Sequence, residues 1–421
     1  MIETPNAKSQ TFCALPWLHL EARTDGRVAP CCLSEDTVKN ADGSNMFLYK
    51  DDIGAAFNSE WMGELRQALN QNVKHRNCKV CWQDEKNGQD SRRLRENRTF
   101  KKNILQLSTE SAIAAQPVSL DLKLGNLCNL KCRICGPYSS TKWSQEAVDL
   151  YGDGSLPENQ PGVRIGGTDP AQVMRWYETN PALWTTLENW LPKIENFEIF
   201  GGEPFLIRRH FDLLRRSVEL GYAQNQSLHY NTNGTVFPEH AVKEIFPHFK
   251  KVKVMLSLDG VGPQFEYQRY PADWKLALEN FEKFKKAPVQ LEICLTLSAL
   301  NIYYLGDYLE FWKDRGVPVY LNVLNTPLQY NMQVFPAPVK KLILDQLRQI
   351  DFSSMKQLVL NHLPAVLNHL TAADLSAHFK DFWTSTQRHD LYRRQAYAEV
   401  FPEFYNVLKP YLQPETELKN G

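Results

Sequence analysis

The chain has 421 residues, 43% of them hydrophobic, so it is long enough to bury a large core. Its 48 basic and 48 acidic residues give a formal net charge of zero, which argues against a nucleic-acid partner and against attraction to anionic membranes. No apolar run is long enough to cross a membrane, and the polar first ten residues lack a signal core. We therefore expect a cytoplasmic protein.

The N-terminal segment predicts a hairpin followed by helices. Trp17 to Ala22 and Arg27 to Cys31 have the pattern of two short strands, and Asp25-Gly26 between them is a hairpin-turn signal. Apolar residues repeat every four positions from Ser59 to Asn70, which indicates a helix. A strongly basic helix is predicted from Asp90 to Lys102, and a linker at 107–117.

Beyond the linker, strands alternate with helices such as Phe211–Leu220, Trp274–Lys286 and Tyr304–Arg315. We expect near-continuous apolar strands in a parallel sheet covered by helices. The expected strands are Ser119–Leu124, Asn196–Phe200, Ser227–Asn231, Val252–Ser257, Gln290–Thr296 and Val317–Val323.

The predicted fold class is α/β: a partial (β/α)6 TIM-like barrel with a small N-terminal hairpin and helix module and a C-terminal helical region from about 337 to 412. The predicted domains are 1–110, 118–328 and 329–421. An insertion at 143–191 is rich in Trp and Gly and yields no fold prediction.

Nine cysteines occur, and eight of them lie in the first third of the chain. Since cytosolic thiols stay reduced, tight groups of cysteines indicate metal or redox ligands rather than disulfides. Cys128, Cys132 and Cys135 follow the first barrel strand with C-x3-C-x2-C spacing. Three thiolates on one loop can hold three irons of a [4Fe–4S] cube and leave the fourth iron open to a small molecule. A structural zinc site completed by a distant residue is the alternative.

Further motifs in the same order favour the iron–sulfur interpretation, because together they resemble the radical S-adenosylmethionine (SAM) superfamily. Residues 118 to 325 carry this resemblance. The motifs are the cysteine loop, Gly201-Gly202-Glu203-Pro204 after the second strand, Asn231-Thr232-Asn233-Gly234 after the third, Ser257-Leu258-Asp259-Gly260 after the fourth, Arg269, and Thr296 to Asn301 after the fifth.

The resemblance implies a role for each motif. Gly201, Gly202, Glu203 and Pro204 would meet the amino group of SAM. Ser257 and Asp259 would lie near its ribose, and Arg269 near its carboxylate, since Arg is a good carboxylate partner. The family also places Asn231 and Asn233, and on the adenine side Thr296, Asn301 and Ile134, at the cofactor. Ile134 departs from the family pattern, which has an aromatic residue there.

A second cysteine group lies in the N-terminal segment, where Cys13, Cys31, Cys78 and Cys81 could bind a metal. Two separated pairs also suit a zinc ribbon. The arrangement resembles the twitch module, a short form of the SPASM auxiliary domain, although here it precedes the barrel. Cys32 follows Cys31 directly, so on a strand it would point the other way, which predicts a buried or spare thiol. Cys294 is predicted to be a core residue.

The basic helix has a structural and a functional interpretation. Its cations can simply form a solvated face. They could also be a docking patch for an acidic flavodoxin- or ferredoxin-type electron donor, or for a phosphate-bearing substrate. The residues are Arg92, Arg93, Arg95, Arg98, Lys101 and Lys102.

The resemblance implies two [4Fe–4S] clusters, one SAM-binding and one auxiliary, and reductive cleavage of SAM to a 5′-deoxyadenosyl radical that takes a hydrogen atom from the substrate. A peptide or protein is the first expectation for that substrate, oxidised or cross-linked in the reaction. A small polar metabolite or nucleotide, a non-catalytic iron–sulfur or zinc protein, and an RNA-modifying role are the alternatives.

Overall fold

The computed structural model describes residues 9–86, 90–107, 114–152, 174–350, 359 and 363–412. Parts of the expected linker, insertion and C-terminal helical region, at 108–113, 153–173, 351–358 and 360–362, lie outside the described residues. The strands are β1 (His19–Ala22), β2 (Val28–Ala29), β3 (Ser119–Lys123), β4 (Asn196–Phe200), β5 (Ser227–Thr232), β6 (Lys251–Ser257), β7 (Gln290–Leu297) and β8 (Val319–Val323).

The first helices are α1 (Leu15–Leu18), α2 (Ile53–Phe57), α3 (Glu60–Asn70), α4 (Lys79–Lys86), α5 (Arg92–Thr99), α6 (Lys101–Ile104), α7 (Trp143–Tyr151), α8 (Trp176–Thr179), α9 (Pro181–Trp190) and α10 (Arg209–Glu219). They are followed by α11 (Glu239–Glu244), α12 (Pro263–Gln268), α13 (Trp274–Lys286), α14 (Leu305–Trp312), α15 (Ala337–Leu347), α16 (Leu363–Ala372), α17 (Phe379–Arg393), α18 (Tyr397–Val400) and α19 (Pro402–Leu408). In the part of the chain that the structure describes, no helix has both the length and the hydropathy that a membrane crossing requires.

The described strands form one sheet in the order β2-β1-β3-β4-β5-β6-β7-β8. β1 and β2 make the antiparallel hairpin, and β1 also pairs in parallel with β3. Parallel pairing joins β3 to β4, β4 to β5 and β7 to β8. The α/β class is therefore confirmed, and the N-terminal hairpin extends the expected six-stranded sheet.

Most element bounds lie within a few residues of the prediction, but β2 covers only Val28–Ala29 of the expected Arg27–Cys31. Two further differences concern helices. Trp17 lies in α1 rather than at the start of a strand, because Pro16 fixes a helical φ in the first turn. The basic helix is divided at Phe100 into α5 and α6. Side-chain caps fix helix starts elsewhere, as where the Ser59 hydroxyl accepts from the Met62 amide at 3.3 Å.

The chain divides into two compact units. The first comprises Met1–Leu127, Arg164–Tyr230 and Pro238–Lys253, and the second comprises Cys128–Val163, Asn231–Phe237 and Val254–Gly421. These limits differ from the predicted domains 1–110, 118–328 and 329–421, which stay a prediction.

In the first unit, β1, β3, β4 and β5 carry polar residues at alternate positions, which differs from the expected near-continuous apolar strands. Residues between them, such as Leu122 and Ile199, are 1% exposed. Because successive strand residues point to opposite faces, this part of the sheet has one apolar face and one charged face. Four residues adjacent in register form a row across the charged face: Glu21, Asp121, Glu198 and His229.

Candidate active site

The cysteine loop lies in the second unit and is held by backbone hydrogen bonds. The Lys131 amide donates to the Tyr270 carbonyl at 2.7 Å. The Trp143 indole Nε1 donates to the Cys132 carbonyl at 3.0 Å, and Trp143 itself is fully buried. The loop is therefore fixed from two sides, by the segment after α12 and by the start of α7.

The three thiols of the loop pack together. Cys128 and Cys132 are 8% and 6% exposed and form a cluster with Leu130, against which Cys135 also packs. A hydrogen bond from Cys135 lowers the pKa of Cys132 to about 7, and the same bond raises the pKa of Cys135. The structure thus brings the three predicted ligands into one buried group.

The donor chemistry of the three thiols fits an iron–sulfur cluster, because thiolates are the protein ligands of such clusters. A cation also lies beside the thiols. Arg269 Nη1 lies 3.9 Å from Cys132 Sγ. Within the described ranges, no group of three or more histidine, cysteine, aspartate or glutamate side chains has the geometry to hold a metal ion as it stands.

Arg269 and Asp259, which were predicted to bind different parts of SAM, form an ion pair with each other at 2.7 Å. The second Asp259 oxygen accepts from the Thr296 amide at 2.9 Å. Arg269 is 8% exposed, and its Nε has no hydrogen-bond partner among the described residues. The carboxylate therefore holds the guanidinium beside the Cys132 thiol and also ties it to the end of β7.

The predicted asparagines differ in how their side chains are used. Asn233 donates to Asn129 Oδ1 at 2.9 Å and lies 3.9 Å from Cys128 Sγ, so it belongs to the surroundings of the loop. Asn301 donates to the Asp259 carbonyl, at 3.1 Å, and to the Thr296 carbonyl, at 2.9 Å. Asn301 thus joins the ends of β6 and β7, and its side-chain NH₂ group is used in these structural hydrogen bonds.

The remaining predicted residues of the second unit are less engaged. Three of them are half-buried: Ile134, Ser257 and Asn231. The side-chain Oδ1 of Asn231 has no hydrogen-bond partner among the described residues. Thr296 accepts a long hydrogen bond of 3.5 Å from Asn322.

The Gly201–Pro204 motif lies in the first unit, against the residues that precede Cys128. The Gly202 and Glu203 amides donate to the carbonyls of Gly125, at 3.1 Å, and Leu127, at 2.8 Å. A Cβ on Gly202 would lie 2.4 Å from the Leu127 carbonyl oxygen, so only glycine fits. Glu203 is fully buried and accepts from the Phe205 amide at 3.1 Å.

A buried charged network behind the loop was not found from the sequence. Fully buried Glu146 accepts from His389 Nδ1 at 2.9 Å and Arg393 Nε at 2.8 Å, and its other oxygen lies 2.7 Å from Lys131 Nζ. Lys131 immediately precedes Cys132. The network therefore connects the cysteine loop to α7 and α17.

Arg393 is the residue of this network with unused donors. Its guanidinium lies 5.0 Å from the Trp143 ring and 5.3 Å from the Tyr270 ring. Nη1 and Nη2 are buried and have no hydrogen-bond partner in the described ranges. Since Trp143 and Tyr270 both bind the loop backbone, Arg393 is a second cation close to the thiols.

Arg133, on the other side of Cys132, is anchored to the C-terminal helices. Its Nη2 pairs with Asp390 at 2.5 Å, and its guanidinium stacks 3.6 Å from the centre of the Tyr267 ring. The Tyr267 hydroxyl donates to the same Asp390 carboxylate at 2.7 Å. No local sequence signal marks these contacts, because the partners are more than 120 residues apart.

The four predicted auxiliary ligands lie together in the first unit. Burial and then the Cys78 thiol raise the pKa of Cys13, and burial and then Cys13 raise that of Cys31. Burial, Cys31 and Cys81 raise the pKa of Cys78 to about 12. Cys13, Cys31 and Cys78 are therefore each influenced by other thiols of the group, and Cys81 acts on Cys13 and Cys78.

Cys32 has surroundings different from those of Cys31, but neither residue lies in a strand as the prediction assumed, because β2 ends at Ala29. Its sulfur accepts a hydrogen bond from Arg92 Nη1. Its other charged neighbours are Glu21, Lys123 and Asp121, on the charged face of the sheet. Cys294, in β7, is 8% exposed and lies in the core of the second unit.

The basic helix has fewer exposed cations than its sequence indicates. Arg93 is 6% exposed and forms a bidentate ion pair with Glu85, with distances of 2.9 and 2.7 Å. Arg92 points to Cys32. Arg95, Arg98, Lys101 and Lys102 are exposed, so any docking patch is limited to these four residues.

No family model matches the chain, and no curated protein matches it. Solved structures do match. Native anSMEcpe with bound AdoMet is 19% identical, with a TM-score of 0.40, over 58% of this chain and 64% of that one. Its complex with AdoMet and the Cp18Cys peptide is 19% identical, with a TM-score of 0.39, over 57% and 62%.

Streptococcus suis SuiB bound to S-adenosylmethionine is 14% identical, with a TM-score of 0.37, over 71% of this chain and 58% of that one. The chain thus spans about six tenths of the length of the structures it matches, 58% to 64%. Each of these three structures contains bound AdoMet or S-adenosylmethionine.

Proposed function

We propose that this chain is a radical SAM enzyme whose SAM-binding [4Fe–4S] cluster is held by Cys128, Cys132 and Cys135. The observation that carries the proposal is the packing of half-buried Cys135 against buried Cys128 and Cys132 on the loop after β3. When bound, the cluster and SAM would supply one-electron cleavage of the sulfonium and removal of a substrate hydrogen atom.

The chain's own residues would bind and orient these groups. Arg269 would offset the negative charge of the thiolates and cluster, because a buried cation stabilises nearby anions strongly. Asp259 and Glu146 would keep the cations Arg269 and Arg393 in place. Burial of Cys128 and Cys132 would exclude water from the reacting groups.

The second part of the proposal is an auxiliary [4Fe–4S] cluster on Cys13, Cys31, Cys78 and Cys81. Four thiolates would close its coordination, which suits electron transfer rather than binding of a small molecule. A four-thiolate zinc site is the competing assignment. The net reaction would be an oxidation if this cluster accepted the electron of the substrate radical.

A peptide or protein is the proposed substrate class, on the resemblance to twitch and SPASM enzymes. A small polar metabolite or nucleotide would use the same chemistry. A binding protein without turnover is the alternative of another class, and the intact cysteine loop and Gly202-Glu203 contacts oppose it.

Anaerobic reconstitution of the full chain tests the proposal. We expect about eight irons and eight sulfides per chain, and 5′-deoxyadenosine from SAM under dithionite. A count of about four irons and one zinc would show that the auxiliary site holds zinc instead of an iron–sulfur cluster. Fully loaded protein that forms no 5′-deoxyadenosine would contradict the enzymatic assignment.

The exposed cations of α5 and α6 predict an effect on reduction by a protein donor. Reversing Lys101 and Lys102 to glutamate should slow flavodoxin-driven 5′-deoxyadenosine formation, since charge steers the encounter with a protein donor. The dithionite-driven rate should stay unchanged, because a small reductant in excess does not dock on the patch. Arg93 is unsuitable for this test because it is buried in an ion pair.

The control is Lys341→Glu with Lys380→Glu, the same charge change on exposed residues of α15 and α17. The difference between variant and wild type should shrink as salt is added. Equal donor-driven rates for all three proteins at low salt would leave the basic helix as a solvated face only.

A further inference from the structure

A cavity of about 260 Å³ lies in the first unit at the amino ends of the parallel strands. Its wall includes the first residue of each of five strands: His19, Ser119, Asn196, Ser227 and Lys251. Helix α5 contributes Arg92 and Glu96. The Gly201–Pro204 motif follows the carboxyl end of β4, so the cavity lies at the other edge of the sheet and outside the proposed SAM site.

The cavity wall contains polar groups without partners. His19 is 1% exposed; its Nδ1 pairs with the Ser119 hydroxyl at 3.0 Å, and its Nε2 has no partner among the described residues. His229 Nε2 is likewise buried and unpaired within the described ranges. Buried polar atoms are normally hydrogen-bonded, so each unpaired nitrogen needs an explanation.

The protonation of these imidazoles defines what they can bind. Burial lowers the pKa of His19 to about 3 and that of His229 to about 4. Both rings are therefore neutral near pH 7, and each free nitrogen can accept from or donate to an uncharged or charged polar group. Ordered water could fill that role in part, but the charges of the wall indicate more than water.

Glu198 and Lys251 are charged groups of the wall that make no ion pair with other residues that the structure describes. The charged neighbour that acts most strongly on Glu198, in the charged row of the sheet, is Arg92. Lys251 is exposed and forms no ion pair in the same ranges. Arg92 and Glu96 already pair with each other, at 3.5 Å.

The separation of the groups determines the shape of the ligand. Glu198 and Lys251 lie on β4 and β6, with His229 on β5 between them. Two steps between neighbouring strands measure roughly 10 Å along the sheet. A single ion cannot reach both charged groups, whereas an elongated molecule can contact both of them and His229.

We propose that this cavity binds a small elongated zwitterion of the size of a dipeptide, with its ammonium group at Glu198 and its carboxylate at Lys251. The His229 imidazole, between these two groups, would bond its central polar atoms. This site goes beyond the proposed function and requires neither SAM nor iron for its recognition chemistry.

The test uses the reconstituted full chain and three probes in titration calorimetry. Glycylglycine carries both charges, N-acetylglycylglycine lacks the ammonium, and glycylglycine amide lacks the carboxylate. We expect glycylglycine to bind at least about tenfold more tightly than either analogue, since one ion pair is worth about that factor when partly buried.

Two variants and two matched controls assign the binding to the cavity. Glu198→Gln should weaken glycylglycine about tenfold and leave N-acetylglycylglycine unchanged, and Lys251→Met should weaken both of these probes. Glu195→Gln and Lys250→Met, whose residues are not in the cavity wall, should change neither. The proposal would be overturned if glycylglycine did not bind, or if the three probes bound with equal affinity. It would also be overturned if Glu198→Gln and Lys251→Met left the affinities unchanged.

Discussion

Replacing Cys132 by alanine is expected to remove the iron of the loop site and to reduce 5′-deoxyadenosine formation to background. Cys132 packs with both other thiols of the loop, and a cube with one open iron needs all three. Iron should fall from about eight to about four per chain, because Cys13, Cys31, Cys78 and Cys81 form a separate group. Iron and sulfide assays, with paramagnetic resonance of the dithionite-reduced protein, measure both changes.

Cys294→Ala is the matched control, since it also removes a buried thiol but from β7 rather than from the loop. We expect that control to keep about eight irons and its 5′-deoxyadenosine activity, with a loss of stability from the vacated core volume. The reciprocal variant Cys13→Ala should lose the other half of the iron. A Cys132→Ala protein with full iron and activity would refute the proposed function.

The second large effect is expected for Glu146→Ala. Glu146 is the carboxylate that Arg393, His389 and Lys131 share, and it is fully buried. Its removal leaves the buried Arg393 guanidinium without a counter-charge, which costs about 3–5 kcal/mol. Because Lys131 precedes Cys132, the loop should also retain less iron. Urea unfolding of the iron-free chain and iron retention after reconstitution measure the two parts separately.

Glu239→Ala is the control for Glu146→Ala. Glu239 pairs with Lys243 at 2.6 Å on the surface of α11, and loss of such an exposed pair costs about 0.2–1 kcal/mol. Similar losses for the two variants would show that the buried network does not support the loop.

The network also predicts an acid-labile stability. Burial alone would raise the pKa of Glu146, but hydrogen bonds from His389 and the charge of Arg393 hold it at about 2, below its ordinary 4.5. This contribution is therefore present above pH 4.5 and lost as the pH falls through about 2. Burial lowers the pKa of His389 from 6.5 to about 4. As the pH falls from 6.5 to about 4, the unfolded chain takes up this proton before the folded chain does, so the free energy of unfolding also decreases in that range. Glu146→Gln should have a flatter pH dependence in the acid range.

Several features were predictable because they depend on short stretches of sequence. Strand β4 and helix α13 have the predicted bounds, since apolar periodicity and a capping Asp273 determine them locally. The grouping of Cys128, Cys132 and Cys135 follows from their spacing on one loop.

Other features could not be predicted, because their partners are distant in sequence. Arg393 and Glu146, which form an ion pair, are 247 residues apart. Arg269 pairs with Asp259, whereas the family resemblance assigned Arg269 to the SAM carboxylate. The buried position of Arg93 depends on its pairing with Glu85 across the turn between α4 and α5. A linear pattern of charges does not reveal which of them are paired.

The sequence by itself determined the α/β class, the order of strands and helices, and which cysteines belong to which group, because periodicity, turn residues and ligand spacing act over a few residues. The tertiary structure decided the pairing of the charged side chains and the cavity at the amino ends of the strands. Strand register places Glu21, Asp121, Glu198 and His229 side by side. Register and burial arise only when distant segments pack, so the electrostatic surroundings of each site are a property of the folded chain.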